Sequence, residues 1–268
     1  MWMQVLAAAG LPIVGERFPL DWETALGAVN RGGFYESTLR DGINYTSNPD
    51  PRSGVYLHPA ETRCHVVKLF AEGLMRSDLS FLDRVLVTVR PWREVAASFD
   101  RLIAIENVAR GVDDDARPPR LPGALAWWGA NFDVVRDVVL RRYAIHIQSY
   151  RTVLDDPARV VPKVLAWIAE ASPEPLELDV DAAIAAVDAE QRTFVAPTGA
   201  SDIEPDVAAV FDAYEQAIAD EVALDTALLE RMNAVHERLA PHYTAHAEHL
   251  ATWLHEHTRG PTIEPLAL

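Results

Sequence analysis

The residues best suited to chemistry lie where an apolar strand gives way to a helix, in DRVLVTVRPWREVAASFDRL (83–102). Arg90 ends the apolar run and Ser98 follows eight residues later, so that steps of four through Glu94 share one helical face. Ligands of open α/β sheets bind at the carboxyl ends of the strands. The pattern predicts that Arg90 and Ser98 grip one phosphate group, with Glu94 holding Arg90. The spacing also fits an arginine that caps a strand and a serine packed in a helix.

The elements that must position these residues follow from apolar periodicity. Near-continuous apolar runs at 65–70, 83–90 and 143–148 predict strands buried on both faces, as in a parallel sheet. Helices are predicted at 1–9 (closed by Gly10), 20–28, 92–110, 124–142, 157–170, 179–188, 203–220 and 222–255. The alternation predicts a three-layer α/β fold with a mostly parallel sheet, helices on both faces and a helical C-terminal extension.

Composition excludes several classes of protein. The 268 residues are 49% hydrophobic, which excludes disordered and collagen-like chains, and the net charge of −16 disfavours a nucleic-acid binder. The first 154 residues carry 18 basic and 18 acidic side chains, so an anionic ligand is better tolerated there than in the acidic remainder. The single cysteine and the absence of an apolar run of about 18 residues predict a cytoplasmic protein without a membrane span.

The segment 83–102 resembles the 3′-phosphate-binding element of the P-loop sulfotransferases, in which a strand ends in Arg and a Ser follows eight residues later. These enzymes transfer a sulfuryl group from 3′-phosphoadenosine 5′-phosphosulfate to a hydroxyl or amine. Other segments are similar to the family's elements in the same order. They are MWMQVLAAAGLPI (1–13), NRGGFYE (30–36), HVVKLF (65–70) and IHIQSYRTVLDDPARVVPKVLAWI (145–168).

The resemblance implies a P-loop NTPase-like core over 1–195, with 196–268 as an acidic helical part of the same domain. It implies that Arg90 and Ser98 bind the 3′-phosphate, that Arg192 reaches the nucleotide, and that no metal is needed. Glu36 is then the base that activates the acceptor, or else a solvent-facing loop residue. Lys68, placed within an apolar strand, either steadies developing charge in the cleft or extends from the strand end to solvent.

One family element is missing from the sequence. The Gly/Ser/Thr-rich loop that binds the 5′-phosphosulfate, with the central strand before it, is expected just ahead of Met1. Met1 is therefore expected to be an internal methionine of a longer protein. The alternative is a catalytically degenerate protein that keeps the fold as a binding module. Under both, the chain as given is predicted to be inactive. A kinase-like phosphotransferase is disfavoured because no Gly-Lys-Ser/Thr motif is present.

Other features suggest weaker hypotheses. The C-terminal helices are a candidate surface for a homo-oligomer, and the acceptor is not identified. His242, His246 and His249 share a helical face within the His-rich segment 236–257, which is more typical of a solvated helix end than of a metal site. Trp127 and Trp128 either line an acceptor pocket or belong to the core, at least one of them in the core.

Overall fold

The computed structural model describes residues 1–18, 32–51, 53–110, 117–189 and 203–257, without the side chains of 106–107 and 109–110. The strands are β1 (Ile13–Val14), β2 (Val66–Val67), β3 (Val85–Val89) and β4 (Ile145–Ser149). The helices are α1 (Trp2–Ala8), α2 (Ala71–Arg76), α3 (Trp92–Arg110), α4 (Gly123–Arg141), α5 (Tyr150–Asp155), α6 (Pro157–Ala169), α7 (Val180–Ala185), α8 (Pro205–Ala219) and α9 (Thr226–His257). Short 3₁₀ turns span Thr38–Asp41 and Leu79–Phe81.

The fold is mixed α/β with two small parallel sheets in the described ranges. β1 pairs with β2 through Ile13↔Val66 and Val14↔Val67, while β3 pairs with β4 over five residues, from Val85↔Ile145 to Val89↔Ser149. The predicted strand at 65–70 is thus shorter than expected, and Lys68 follows β2 instead of lying within a strand. The helix predicted at 20–28 lies outside the described residues.

The first helix ends as its sequence predicts. Gly10 adopts a positive φ of 93°, and its N–H donates to the carbonyl of Ala7 while the N–H of Leu11 donates to that of Leu6. These two bonds satisfy carbonyls that the helix end would otherwise leave open, and glycine adopts this conformation at little steric cost. Because α1 ends at Ala8 and β1 begins at Ile13, only a short connection separates the helix from the sheet formed by β1 and β2.

Two hydrophobic clusters bury the strands between helices. The α1 cluster joins α1, α6 and α7, and Val66 of β2 and Leu86 of β3 both pack against it. The α4 cluster contains side chains of α2 and α4, with Val85 and Val87 of β3 packed on it. Since successive side chains of a strand point to opposite faces, β3 is covered on both faces.

A third cluster, the aromatic cluster, joins the start of α3 to α4, α8 and α9. Phe211 of α8 is fully buried, and its ring stacks on that of Trp128 with centroids 4.6 Å apart. Trp127 is also buried, so both tryptophans belong to the core and the alternative that they line an acceptor pocket is wrong. Gly123 lets α4 approach α3 closely, because a Cβ there would lie 2.7 Å from the Cα of Ala96.

Within the described ranges, every helix is too short or too polar to cross a bilayer.

Candidate functional site

The carboxyl ends of β3 and β4 bring Arg90 beside an aromatic ring. Arg90 follows β3 and Tyr150 follows β4, and the register Val89↔Ser149 sets these two positions side by side. The guanidinium carbon of Arg90 lies 5.0 Å from the centroid of the Tyr150 ring. The Arg90 Nε atom is buried and has no hydrogen-bond partner among the described residues. A buried N–H without a partner is costly, so a ligand acceptor at this place would be favourable.

Glu94, one turn into α3, is 1% exposed and forms an ion pair at the same edge of the sheet. Nη2 of Arg151, in α5, donates to Oε1 of Glu94 at 3.2 Å. The structure therefore pairs Glu94 with Arg151, whereas the sequence predicted a contact with Arg90. Sequence spacing favours a partner one helical turn away, and the observed partner lies 57 positions further along the chain.

Glu36 and Lys68 form the second group of the site. Lys68 Nζ donates to Oε1 of Glu36 at 2.5 Å and to the carbonyl of Phe34 at 2.9 Å. Arg40 Nη1 lies 3.4 Å from Oε2 of the same carboxylate. Glu36 is 8% exposed, so the alternative that it is a solvent-facing loop residue is wrong. The carboxylate thus contacts two cations, Lys68 through Oε1 and Arg40 through Oε2.

The backbone that presents Glu36 depends on Gly33. Gly33 has φ of 96°, and a Cβ there would lie 2.3 Å from Cγ of Arg17. The chain then forms an antiparallel bridge between Glu16 and Glu36, with reciprocal N–H to carbonyl bonds of 2.9 and 3.0 Å. The bridge ties the Glu36 backbone to the segment that follows β1.

The charges of Lys68 and Arg90 both affect the amino group of Met1. Burial, and then the charges of Lys68 and Arg90 in that order, lower the pKa of the Met1 amino group to about 6. A charge shifts a neighbour's pKa appreciably only at short range. Met1 packs against the same cluster as Val66 of β2 and Leu86 of β3, so the amino end of α1 lies beside the two strands that precede Lys68 and Arg90. Positive charge at this place suits an anionic ligand.

The other predicted site residues are not drawn together in this way. Ser98 lies two turns into α3 with a partly exposed side chain, and no hydrogen bond joins it to Arg90. Its role in gripping the phosphate remains a prediction. Arg192 lies outside the described residues, as does Asn30.

Two acidic residues of α8 hold the beginning of α3, next to Arg90. A carboxylate oxygen of Glu215 accepts a hydrogen bond from the backbone N–H of Trp92. Asp212 accepts from the Trp92 indole at 2.7 Å and from two nitrogens of Arg93 at 2.5 and 3.1 Å. Carboxylates at a helix N-terminus satisfy free N–H groups there. The sequence does not indicate this contact, because the acidic C-terminal part is recognisable there only by its net charge.

The burial of Glu215 makes stability depend on pH. The pKa of Glu215 is raised to about 7, mainly by burial and to a smaller extent by the charge of Asp212, while the Trp92 N–H, Arg151 and Arg93 oppose the shift. The ordinary value in an unfolded chain is about 4.3. Between these values the folded state binds more protons, so we expect stability to fall as the pH rises from about 4 to 7.

Glu215→Gln should remove this pH-dependent loss of stability, since the amide keeps an acceptor oxygen and carries no charge. We expect the free energy of unfolding of the variant to exceed that of the wild-type protein by about 1–2 kcal/mol at pH 8, after allowing for the partial exposure of Glu215, and to match it near pH 4. Urea unfolding at both pH values measures the difference, with the exposed Glu174→Gln as control. Equal wild-type and Glu215→Gln stability at pH 8 would contradict the prediction.

No protein-family model, curated protein or solved structure matches the chain. Across the described part of the chain, no group of three His, Cys, Asp or Glu side chains is arranged to hold a metal ion.

Proposed function

We propose that this chain is a sulfotransferase-like protein, which transfers a sulfuryl group from 3′-phosphoadenosine 5′-phosphosulfate to a hydroxyl or amine when the phosphosulfate-binding loop is supplied. The observation that carries the proposal is the buried Nε of Arg90, directly after β3, which has no hydrogen-bond partner among the described residues, together with the Glu36–Lys68 pair that follows β2. These residues would surround one nucleotide with two anionic groups, the 3′-phosphate and the 5′-phosphosulfate.

The arrangement of the two sheets supports a P-loop-like, three-layer architecture. β2 pairs with β1 and β3 pairs with β4, so β2 and β3 each keep one edge without a strand partner in the described structure. Val66 of β2, Leu86 of β3 and Met1 pack on the same α1 cluster. A parallel strand that runs into α1 would fit between β2 and β3 and join them into one sheet, which removes both open edges.

The residues would divide the chemistry as follows. The donor supplies an activated sulfuryl group, whose S–O bond to phosphate breaks as a new bond forms from sulfur to the acceptor, S–O for a hydroxyl or S–N for an amine. Glu36 accepts the acceptor's proton, because it is a carboxylate held in a fixed position by Lys68 and Arg40. Lys68 carries the positive charge that stabilises the departing phosphate oxygen. Arg90, with Ser98, binds the 3′-phosphate and orients the nucleotide.

The phosphate grip can be tested on the 268-residue chain itself. Arg90→Ala should raise the Kd for adenosine 3′,5′-bisphosphate about 10- to 100-fold, because a charged hydrogen bond to a phosphate is lost. Isothermal titration calorimetry measures the change. The matched control is Arg76→Ala, which removes an exposed arginine of α2 that pairs with Glu72.

Two results would count against the proposal. One is wild-type binding that Arg90→Ala leaves unchanged, and the other is a wild-type chain that does not bind the bisphosphate at millimolar concentration. The encoding DNA upstream of Met1 offers an independent test. An in-frame strand followed by a Gly/Ser/Thr-rich turn supports the enzyme, whereas a stop codon directly before Met1 favours a binding module without catalysis.

A further inference from the structure

We propose that Arg151 is a second anion-binding residue of this site, which together with Arg90 clamps the 3′-phosphate of the nucleotide. The inference rests on the proposed function and adds a residue that neither the sequence pattern nor the resemblance indicates. The ligand class is a phosphate monoester dianion, which two arginines neutralise better than one.

Arg151 is largely exposed to solvent, although its partner Glu94 is buried. The side chain of its partner Glu94 is 2% exposed, whereas that of Arg151 is 57% exposed. In the described structure its guanidinium makes one hydrogen bond, from Nη2 to Glu94. A guanidinium carries five N–H donors. The buried carboxylate therefore restrains the group from behind, and donors remain that face solvent.

Arg151 and Arg90 lie at the same edge of one sheet. Arg90 directly follows β3. Tyr150 and Arg151 are the first and second residues after β4, the strand that pairs with β3. Arg90 stacks on the Tyr150 ring, and Arg151 is held by Glu94, four positions after Arg90. The two guanidinium groups are thus held by separate partners at the carboxyl ends of two paired strands. Restraining both before a ligand arrives lowers the entropic cost of binding.

A purely structural role is the rival explanation, because a buried carboxylate needs a cation to offset its charge. The two explanations differ in what a ligand experiences. If the arginine is only structural, its replacement affects folding but does not change how much more tightly the protein binds a ligand with a 3′-phosphate than one without it. An anion-binding arginine affects the affinity for ligands that carry the 3′-phosphate and not for those that lack it.

The experiment is calorimetry of the 268-residue chain with adenosine 3′,5′-bisphosphate and with adenosine 5′-monophosphate. Arg151→Ala should raise the Kd for the bisphosphate about 10-fold, Arg151→Lys should raise it less, and both should leave the monophosphate unchanged. Arg76→Ala again serves as the control. Should Arg151→Ala fail to fold, Arg151→Met in a Glu94→Gln background removes both charges and is compared with Glu94→Gln alone.

The outcomes separate this inference from the proposed function. If Arg90→Ala weakens binding of the bisphosphate and Arg151→Ala does not, Arg151 is structural and the proposed function stands. If Arg151→Ala weakens binding of the bisphosphate and the monophosphate equally, the proposed role of Arg151 in binding the 3′-phosphate is wrong. If neither substitution changes bisphosphate binding, or the wild-type chain binds none, both proposals fail.

Discussion

Replacement of Glu36 by glutamine should slow sulfuryl transfer about 10²- to 10⁴-fold in the polypeptide that carries a phosphosulfate loop, because the acceptor's proton then has no base to receive it. The amide is nearly isosteric and can still accept the hydrogen bond from Lys68 Nζ, which lies 2.5 Å from Oε1 in the wild-type chain. Binding of adenosine 3′,5′-bisphosphate should therefore stay within about twofold of wild type. The expected change is in kcat, measured from initial rates at saturating donor.

A control variant separates the loss of the base from a change in net charge. The matched control is Glu72→Gln, which neutralises an exposed carboxylate on α2. A Glu36→Gln enzyme that keeps more than about a third of the wild-type kcat would show that the proton goes elsewhere. Equal losses in both variants would point to net charge instead.

The junction of β3 and α3 could be predicted from the sequence because its signals are local. A run of apolar, mostly β-branched residues defines β3, and Pro91 directly precedes α3, which begins at Trp92. Gly10 likewise identifies the end of α1. Such features depend on residues within one turn or one strand, so a single sequence contains the information that sets them.

The partners of the charged side chains could not be predicted in the same way. Lys68 meets Glu36 across 32 positions, and Arg93 meets Asp212 across 119. No periodic pattern in the sequence indicates such distant pairs, because the packing of whole helices and strands determines them. The pairing of Glu94 with Arg151 shows the same limit, since it depends on the parallel register of β3 with β4. The sequence identified residue types suited to the site and left their partners undetermined.

The aromatic cluster connects the acidic C-terminal part to the site. Phe211 contacts three tryptophan rings, those of Trp92, Trp127 and Trp128, with centroids 5.5, 5.5 and 4.6 Å away. One residue further along α8, Asp212 bonds to Trp92 and Arg93. Because Trp92 is two residues after Arg90, the packing of Phe211 sets where α8 can hold the beginning of α3. Stability and site geometry therefore depend on the same helix.

Phe211→Ala should lower the free energy of unfolding by about 3–5 kcal/mol, since it leaves a large cavity among rigid aromatic rings. Phe211→Leu retains most of the volume and should cost about 1–2 kcal/mol. Val222→Ala, at an exposed position just beyond α8, is the control and should change stability by less than about 0.5 kcal/mol. Urea unfolding at constant pH measures all three, through shifts in the midpoint at unchanged m. A loss below about 1 kcal/mol for Phe211→Ala would mean that α8 is not anchored by this ring, and the support that Asp212 and Glu215 give to α3 would need another origin.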